Sequence, residues 1–151
     1  MREHIRMSKA EVHAFLDEQR TLVVASLGRS GLPHLAPMWF AVLDGDIVFC
    51  TDRNSQKIVN LRREPRMSAL VESGEEYGDL RGVHMEGTAE VSDDPAVIAR
   101  VVNAVVARNI GPLDESGREG MRHAMSKRVA VLFRPTKVVS WDHRKIALAT
   151  T

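Results

Sequence analysis

The stretch TLVVASLGRSGLPHLAPMWFAVLDGDIVFCT, residues 21–51, decides the fold. It opens with a short β-rich run, Thr21 to Leu27, and closes with another, Ile47 to Thr51. β-Branched and aromatic side chains suit a pleated, half-buried surface, so both read as strands. Gly28-Arg29-Ser30-Gly31 has the small residues of a turn, and Asp44-Gly45 is a strong hairpin signal. Between them, Leu32 to Leu43 reads as one long, partly apolar strand. Pro33 and Pro37 have no amide proton to give to a ladder, which puts this strand at an edge or bulges it. The expectation is three antiparallel strands in succession.

Outward from that core the pattern changes period. Upstream, Ser8-Lys9-Ala10-Glu11 has the form of a capping box, with Met7 and Val12 in the staple positions and Val12, Phe15 and Leu16 forming one apolar stripe. A short first helix ending near Gln19 follows. Downstream, Asn54 or Ser55 can cap a helix running to Leu61–Arg63, which Pro65 stops. Met67 to Val71 and Leu80 to Val91 read as strands. Asp93-Asp94-Pro95 starts the longest helix, whose apolar face is Val97, Ile98, Val101, Val102, Val105 and Val106 and which ends at Asn109–Pro112. A further helix over Glu115–Met125 precedes two closing strands, Val129–Phe133 and Val138–Trp141, around Pro135. Strands in runs between helices do not make the regular alternation of a doubly wound sheet. The reading is one domain over residues 1–151, of α+β class, with an antiparallel barrel and flanking helices.

Composition narrows the partners. The chain has 151 residues and a formal net charge of +1, so no global field draws it to nucleic acid or an anionic membrane. An anion site must be local. Cys50 is the single cysteine, which excludes an intrachain disulfide and suits a reducing compartment. No apolar run follows Met1 to Met7, and no window reaches the roughly 18 apolar residues of a membrane span. A cytoplasmic protein is expected.

The usual catalytic signatures are missing: no zinc-protease histidine pair, P-loop, GxSxG elbow or GxGxxG. The six histidines lack ligand spacing, so no metal is expected, and Cys50 after Phe49 reads as a buried structural thiol. A cofactor is then the natural carrier of any hard chemistry. The densest polar stretch, Thr51 to Asn60, leaves a strand and enters a helix. Such a junction can hold a phosphate, with Arg53 and Lys57 supplying charge and Thr51, Ser55 and Asn60 hydrogen bonds. It can equally be an ordinary capped helix, and Lys57 near its start is expected to be solvated. Pro37, Met38 and Trp39 fit either a bulged core strand or an apolar cover for a planar ring. Trp141 to Lys145 is either a solvated tail or a lid over a neighbouring subunit's site.

Four segments in order resemble the pyridoxamine 5′-phosphate oxidase-like superfamily of split β-barrel flavin proteins, most of all its branch that uses the deazaflavin coenzyme F420. They are Val23–Leu27 with Gly31–His34, Pro37–Phe40 with Asp44–Asp46, Thr51–Asn60 ending in Arg62-Arg63-Glu64-Pro65-Arg66, and Met85–Val91. The resemblance implies a homodimer with cofactor sites at the interface and a small-molecule substrate. It implies that Lys57, with Arg53, Ser55 and Asn60, binds the cofactor phosphate, that Pro37, Met38 and Trp39 lie along the ring, and that Trp141 and Lys145 approach the partner's cofactor. F420 is the expected cofactor, since its longer anionic tail has Arg53, Arg62 and Arg63 close in sequence. FMN in the same phosphate site is the alternative, and a non-catalytic protein holding F420 or haem is a third reading. No side chain is singled out as a proton donor; solvent can serve.

Overall fold

The computed structural model describes residues Arg2 to Ala149. The chain runs α1 (Arg2–Ile5), α2 (Lys9–Glu18), β1 (Thr21–Leu27), β2 (Pro33–Trp39), β3 (Ala41–Leu43), β4 (Asp46–Asp52), α3 (Gln56–Arg63), β5 (Arg66–Ser73), β6 (Arg81–Ser92), α4 (Pro95–Asn109), α5 (Glu115–Met125), β7 (Arg128–Asp142) and α6 (Arg144–Ala149), with a single 3₁₀ turn at Tyr77–Asp79. The strands form one antiparallel sheet in the order β2-β1-β5-β6-β7-β4-β3.

That order makes a barrel. β2 and β3 are the two edges of the sheet, yet only Phe40 separates Trp39 from Ala41 in the chain. The sheet must curl until its edges meet at Phe40, which is fully buried and whose amide donates to the Arg20 carbonyl. The edges do not pair beyond that point, so the barrel is split. The expected single strand Leu32–Leu43 is thus two strands at opposite edges, and the three-strand meander is divided between them. Pro33 and Pro37 do lie on an edge strand, where their missing amides cost no ladder bond.

The inward-facing residues Leu22, Val24, Phe49, Met67, Val71, Val83, Met85, Val131 and Phe133 form the barrel core, joined by Phe15 and Leu16 from α2 and Ile58 and Leu61 from α3. The capping box of α2 forms as expected: Ser8 Oγ accepts from the Glu11 amide at 3.1 Å and Glu11 Oε1 from the Ser8 amide at 3.0 Å. α4 lays Ile98, Val101, Val102 and Val105 on Ala41, Val48 and Ala130, covering the outside of β3, β4 and the start of β7. Its Arg108 donates to the Leu16 and Gln19 carbonyls and stacks over Phe40, tying α4 to α2.

The two expected closing strands are one. β7 passes Pro135 without breaking because the residue stands opposite Gly87 at a bulge in the β6–β7 ladder. A Cβ at Gly87 would overlap the Arg134 carbonyl, so only glycine lets the strands approach there. Among the described residues no helix covers the opposite face of β2, β1, β5, β6 and the end of β7. One cross-strand row on it reads Pro37, Val23, Leu70, His84, Val139. Leu35, Trp39, Val138 and Val139 are well exposed on or beside this face. No helix among the described residues is long and apolar enough to cross a membrane.

Candidate functional site

β4 ends at Asp52, and the turn that follows is built by Asp52 itself: its Oδ1 accepts from the Asn54 amide at 2.8 Å and its carbonyl from the Ser55 amide at 3.1 Å. α3 then starts with Ser55 at its N-cap. A serine there normally accepts a hydrogen bond from the helix's first turn. Ser55 Oγ does not; it is buried and has no partner. Ile58 and Val59 donate their amides to the Ser55 carbonyl. The Gln56 and Lys57 amides before them have no acceptor within the helix, and the helix dipole leaves partial positive charge there.

Lys57 lies in this first turn and is 9% exposed, so the expected solvated lysine is in fact buried. Among the described residues its ammonium makes no hydrogen bond or ion pair. Burial pushes its pKa below the ordinary lysine value; Asp52 opposes that shift, and the positive charge of Arg128 reinforces it. Arg128 stands opposite Asp52 in the β4–β7 ladder, with Nη1 3.9 Å from Cys50 Sγ. Burial raises the Cys50 thiol pKa, with Arg128 pulling the other way, as suits an unreactive thiol. Thr51 is buried at the end of β4. Arg53 is beside the same turn: its amide donates to the Lys127 carbonyl and its guanidinium to the Ser126 carbonyl at 2.6 Å. A buried hydroxyl without a partner, a lysine with a buried stem and an unpaired ammonium, and two free amides lie within one turn of chain. That donor set fits a phosphate.

Other expected members fall elsewhere. Asn60 is fully buried, with its amide committed at both ends: it donates to Ser26 Oγ at 3.1 Å and accepts from Gln56 Nε2 at 2.8 Å. It anchors α3 to β1 and, with no exposed surface, does not face a ligand. Arg62 and Arg63 are at the far end of α3, where Arg62 pairs with Asp93 at 3.1 Å and Arg63 donates to the Leu27 carbonyl. They do not extend the Lys57 site. In β2 the strand alternation splits the Pro37–Met38–Trp39 group: Met38 packs on the barrel core, while Pro37 and Trp39 point to the uncovered face. Lys145 is engaged in its own chain, donating to the Arg6 carbonyl at 2.8 Å and Glu11 Oε1 at 2.9 Å. Trp141 continues β7 and packs over Gly82, where a Cβ would overlap the indole. Buried Asp142, held below the usual aspartate pKa range by hydrogen bonds from Arg144, fixes this ending. It is not a solvated tail.

Two cavities open on the uncovered face. One, of about 430 Å³, is lined by Ala25, Leu27, Pro33, Ser68, Glu86 and Gly87, among others. The second, of about 380 Å³, is lined by Thr21, Val23, Leu70 and Glu72. Trp39 pairs with Thr21, and Trp141 pairs with Gly82, itself opposite Glu72, so the second cavity lies between the two tryptophan-bearing ladders. Neither cavity is lined by Ser55 or Lys57.

The sequence profile of the pyridoxamine 5′-phosphate oxidase family matches residues 8–142. The chain belongs to that family. The match spans all seven strands and the Ser55–Lys57 turn, and the family includes oxidoreductases. Among solved structures, this family member is 44% identical to the conserved hypothetical protein Rv2991 of Mycobacterium tuberculosis, over 97% of this chain and 92% of that one, with a TM-score of 0.91. An F420 reductase has 23% identity, 83% and 94% coverage and a TM-score of 0.64. The haem storage protein HutZ of Vibrio cholerae has 15% identity, 87% and 94% coverage and a TM-score of 0.69. The last two likenesses are of fold. No curated protein sequence matches the chain.

Proposed function

We propose that this chain is an F420-dependent oxidoreductase of the cytoplasm, which transfers a hydride to a small organic acceptor and works as a homodimer. The observation that carries the reading is Ser55 Oγ, buried without a partner beside the buried Lys57 at the start of α3. Each costs free energy in the free protein, and phosphate oxygens satisfy both. F420 is preferred to FMN because basic side chains continue past this point. FMN ends at its phosphate, whereas F420 goes on into an anionic tail that Arg53 and Lys127 can meet.

The roles divide simply. Ser55, Lys57 and the first amides of α3 hold the phosphate. Pro37 and Trp39 offer apolar surface to a planar ring on the uncovered face, and a second copy of the chain seated there excludes water and brings its own Trp141 towards the ring. The bound cofactor supplies the hydride. Orientation and dryness are what the protein adds. The test is reoxidation of reduced F420 by a panel of activated alkenes and nitro compounds: turnover that requires both protein and acceptor supports the assignment, and its absence in a protein that retains FMN favours an FMN enzyme.

A further inference from the structure

The positive charge of Arg128 is felt by Lys57 at the start of α3, and among the described residues Asp52 is the carboxylate that acts on the same lysine. Lys57 comes from the helix and Arg128 from the first position of β7, directly opposite Asp52. Among the described residues Arg128 forms no ion pair with Asp52 or any other carboxylate. Its recorded side-chain partner is Cys50 Sγ at 3.9 Å, and sulfur is a weak acceptor that leaves most of the five guanidinium donors unused. Lys57 is nine-tenths buried with no partner, and Ser55 Oγ is buried with none. Holding two like charges near each other in a partly desolvated place is unfavourable until an anion arrives. Three groups from two separated segments are therefore each short of a partner. The register of β4 with β7 sets Arg128 opposite the turn that leads into α3, a helix end that already favours negative charge.

We infer that Arg128 is a second phosphate-binding cation, acting with Lys57 and Ser55 on the cofactor's phosphate. The inference rests on the phosphate reading of this turn. A guanidinium fork suits two phosphate oxygens at once, which a lysine cannot match. Arg128 thus binds the phosphate side of the cofactor and leaves its ring to other residues.

The experiment compares wild type, Arg128→Gln and Arg128→Lys in two measurements. In the first, F420, FMN and riboflavin, which is FMN without its phosphate, are titrated against each protein. Arg128→Gln is expected to weaken F420 and FMN binding by about 10- to 150-fold, the loss of one charge-assisted bond. Riboflavin affinity should stay within about twofold, and Arg128→Lys should lose only several-fold. In the second, melting temperature is followed with inorganic phosphate. Phosphate should stabilise wild type and not Arg128→Gln, and the phosphate-free variant should melt no lower than wild type, because a repulsion has been removed. A purely structural arginine predicts the opposite: a lower melting temperature and an equal loss for riboflavin and FMN. Unchanged F420 or FMN affinity in folded Arg128→Gln overturns the inference and leaves the proposed function standing. Binding of inorganic phosphate through Arg128 by a protein that takes neither cofactor overturns the function and leaves Arg128 a phosphate-binding residue for another ligand. Should Arg128→Gln not fold, Arg128→Lys decides by the same ratio. No response of wild type to phosphate or either cofactor removes both.

Discussion

Replacing Lys57 by methionine isolates the ammonium while keeping most of the buried stem. If that group binds a cofactor phosphate, its charge-assisted bond contributes about 1.5 to 3 kcal/mol, and Lys57→Met weakens binding by about 10- to 150-fold. Stability should move the other way. Lys57 is 9% exposed and without a partner, and its burial depresses its pKa, so the charged form is held in the folded protein at a cost. The sign follows from proton binding: between the depressed folded value and the ordinary 10.5, the unfolded chain binds more protons than the folded one, so stability rises with pH there. Below that window the full cost is present; above it the cost is gone. Lys57→Met should therefore be at least as stable as wild type at neutral pH, and the difference between them should shrink as the pH rises through the window. Urea unfolding at several pH values, paired with fluorescence titration of F420 on the same preparations, reads both effects. A variant that loses stability at neutral pH while keeping its affinity refutes the reasoning, because Lys57 is then structural and the phosphate lies elsewhere.

Three further outcomes follow from the packing. Asn60→Leu should lose about 1–3 kcal/mol in urea unfolding, since it strands the buried Ser26 hydroxyl and frees α3 from β1. Gly82→Ala should lose about 1–3 kcal/mol and shift the tryptophan emission, because Trp141 occupies the space a Cβ needs. Light scattering at micromolar concentration should give the mass of two chains; a monomer there removes the shared site on the uncovered face.

The local rules were legible where a segment dictates its own structure. The Ser8–Glu11 cap, the apolar stripe of α4 and the edge position of the proline-bearing strand all follow from neighbours within a few residues. Long-range register was not legible. Nothing between Leu32 and Leu43 shows that Phe40 carries the chain from one sheet edge to the other, and nothing near Pro135 shows that Gly87, far back in the chain, makes room for it. The candidate site divides along the same line. Ser55 and Lys57 stand at a strand-to-helix turn that the polar run marks plainly. Arg128 enters only because the β4–β7 register sets it opposite Asp52, so a lysine-arginine pair at a strand start carried no signal by itself. Asn60 was misplaced for a related reason: helix periodicity turns it inward beside Ile58 and Leu61, and a polar residue on that face is more useful as an anchor.

The central claim is that this turn holds the phosphate of F420, and titrating the purified protein with F420 and FMN side by side tests it most directly. The account predicts that F420 binds at least about tenfold more tightly than FMN, a gap of about 1.4 kcal/mol. FMN retained through purification with no measurable binding of F420 would contradict it.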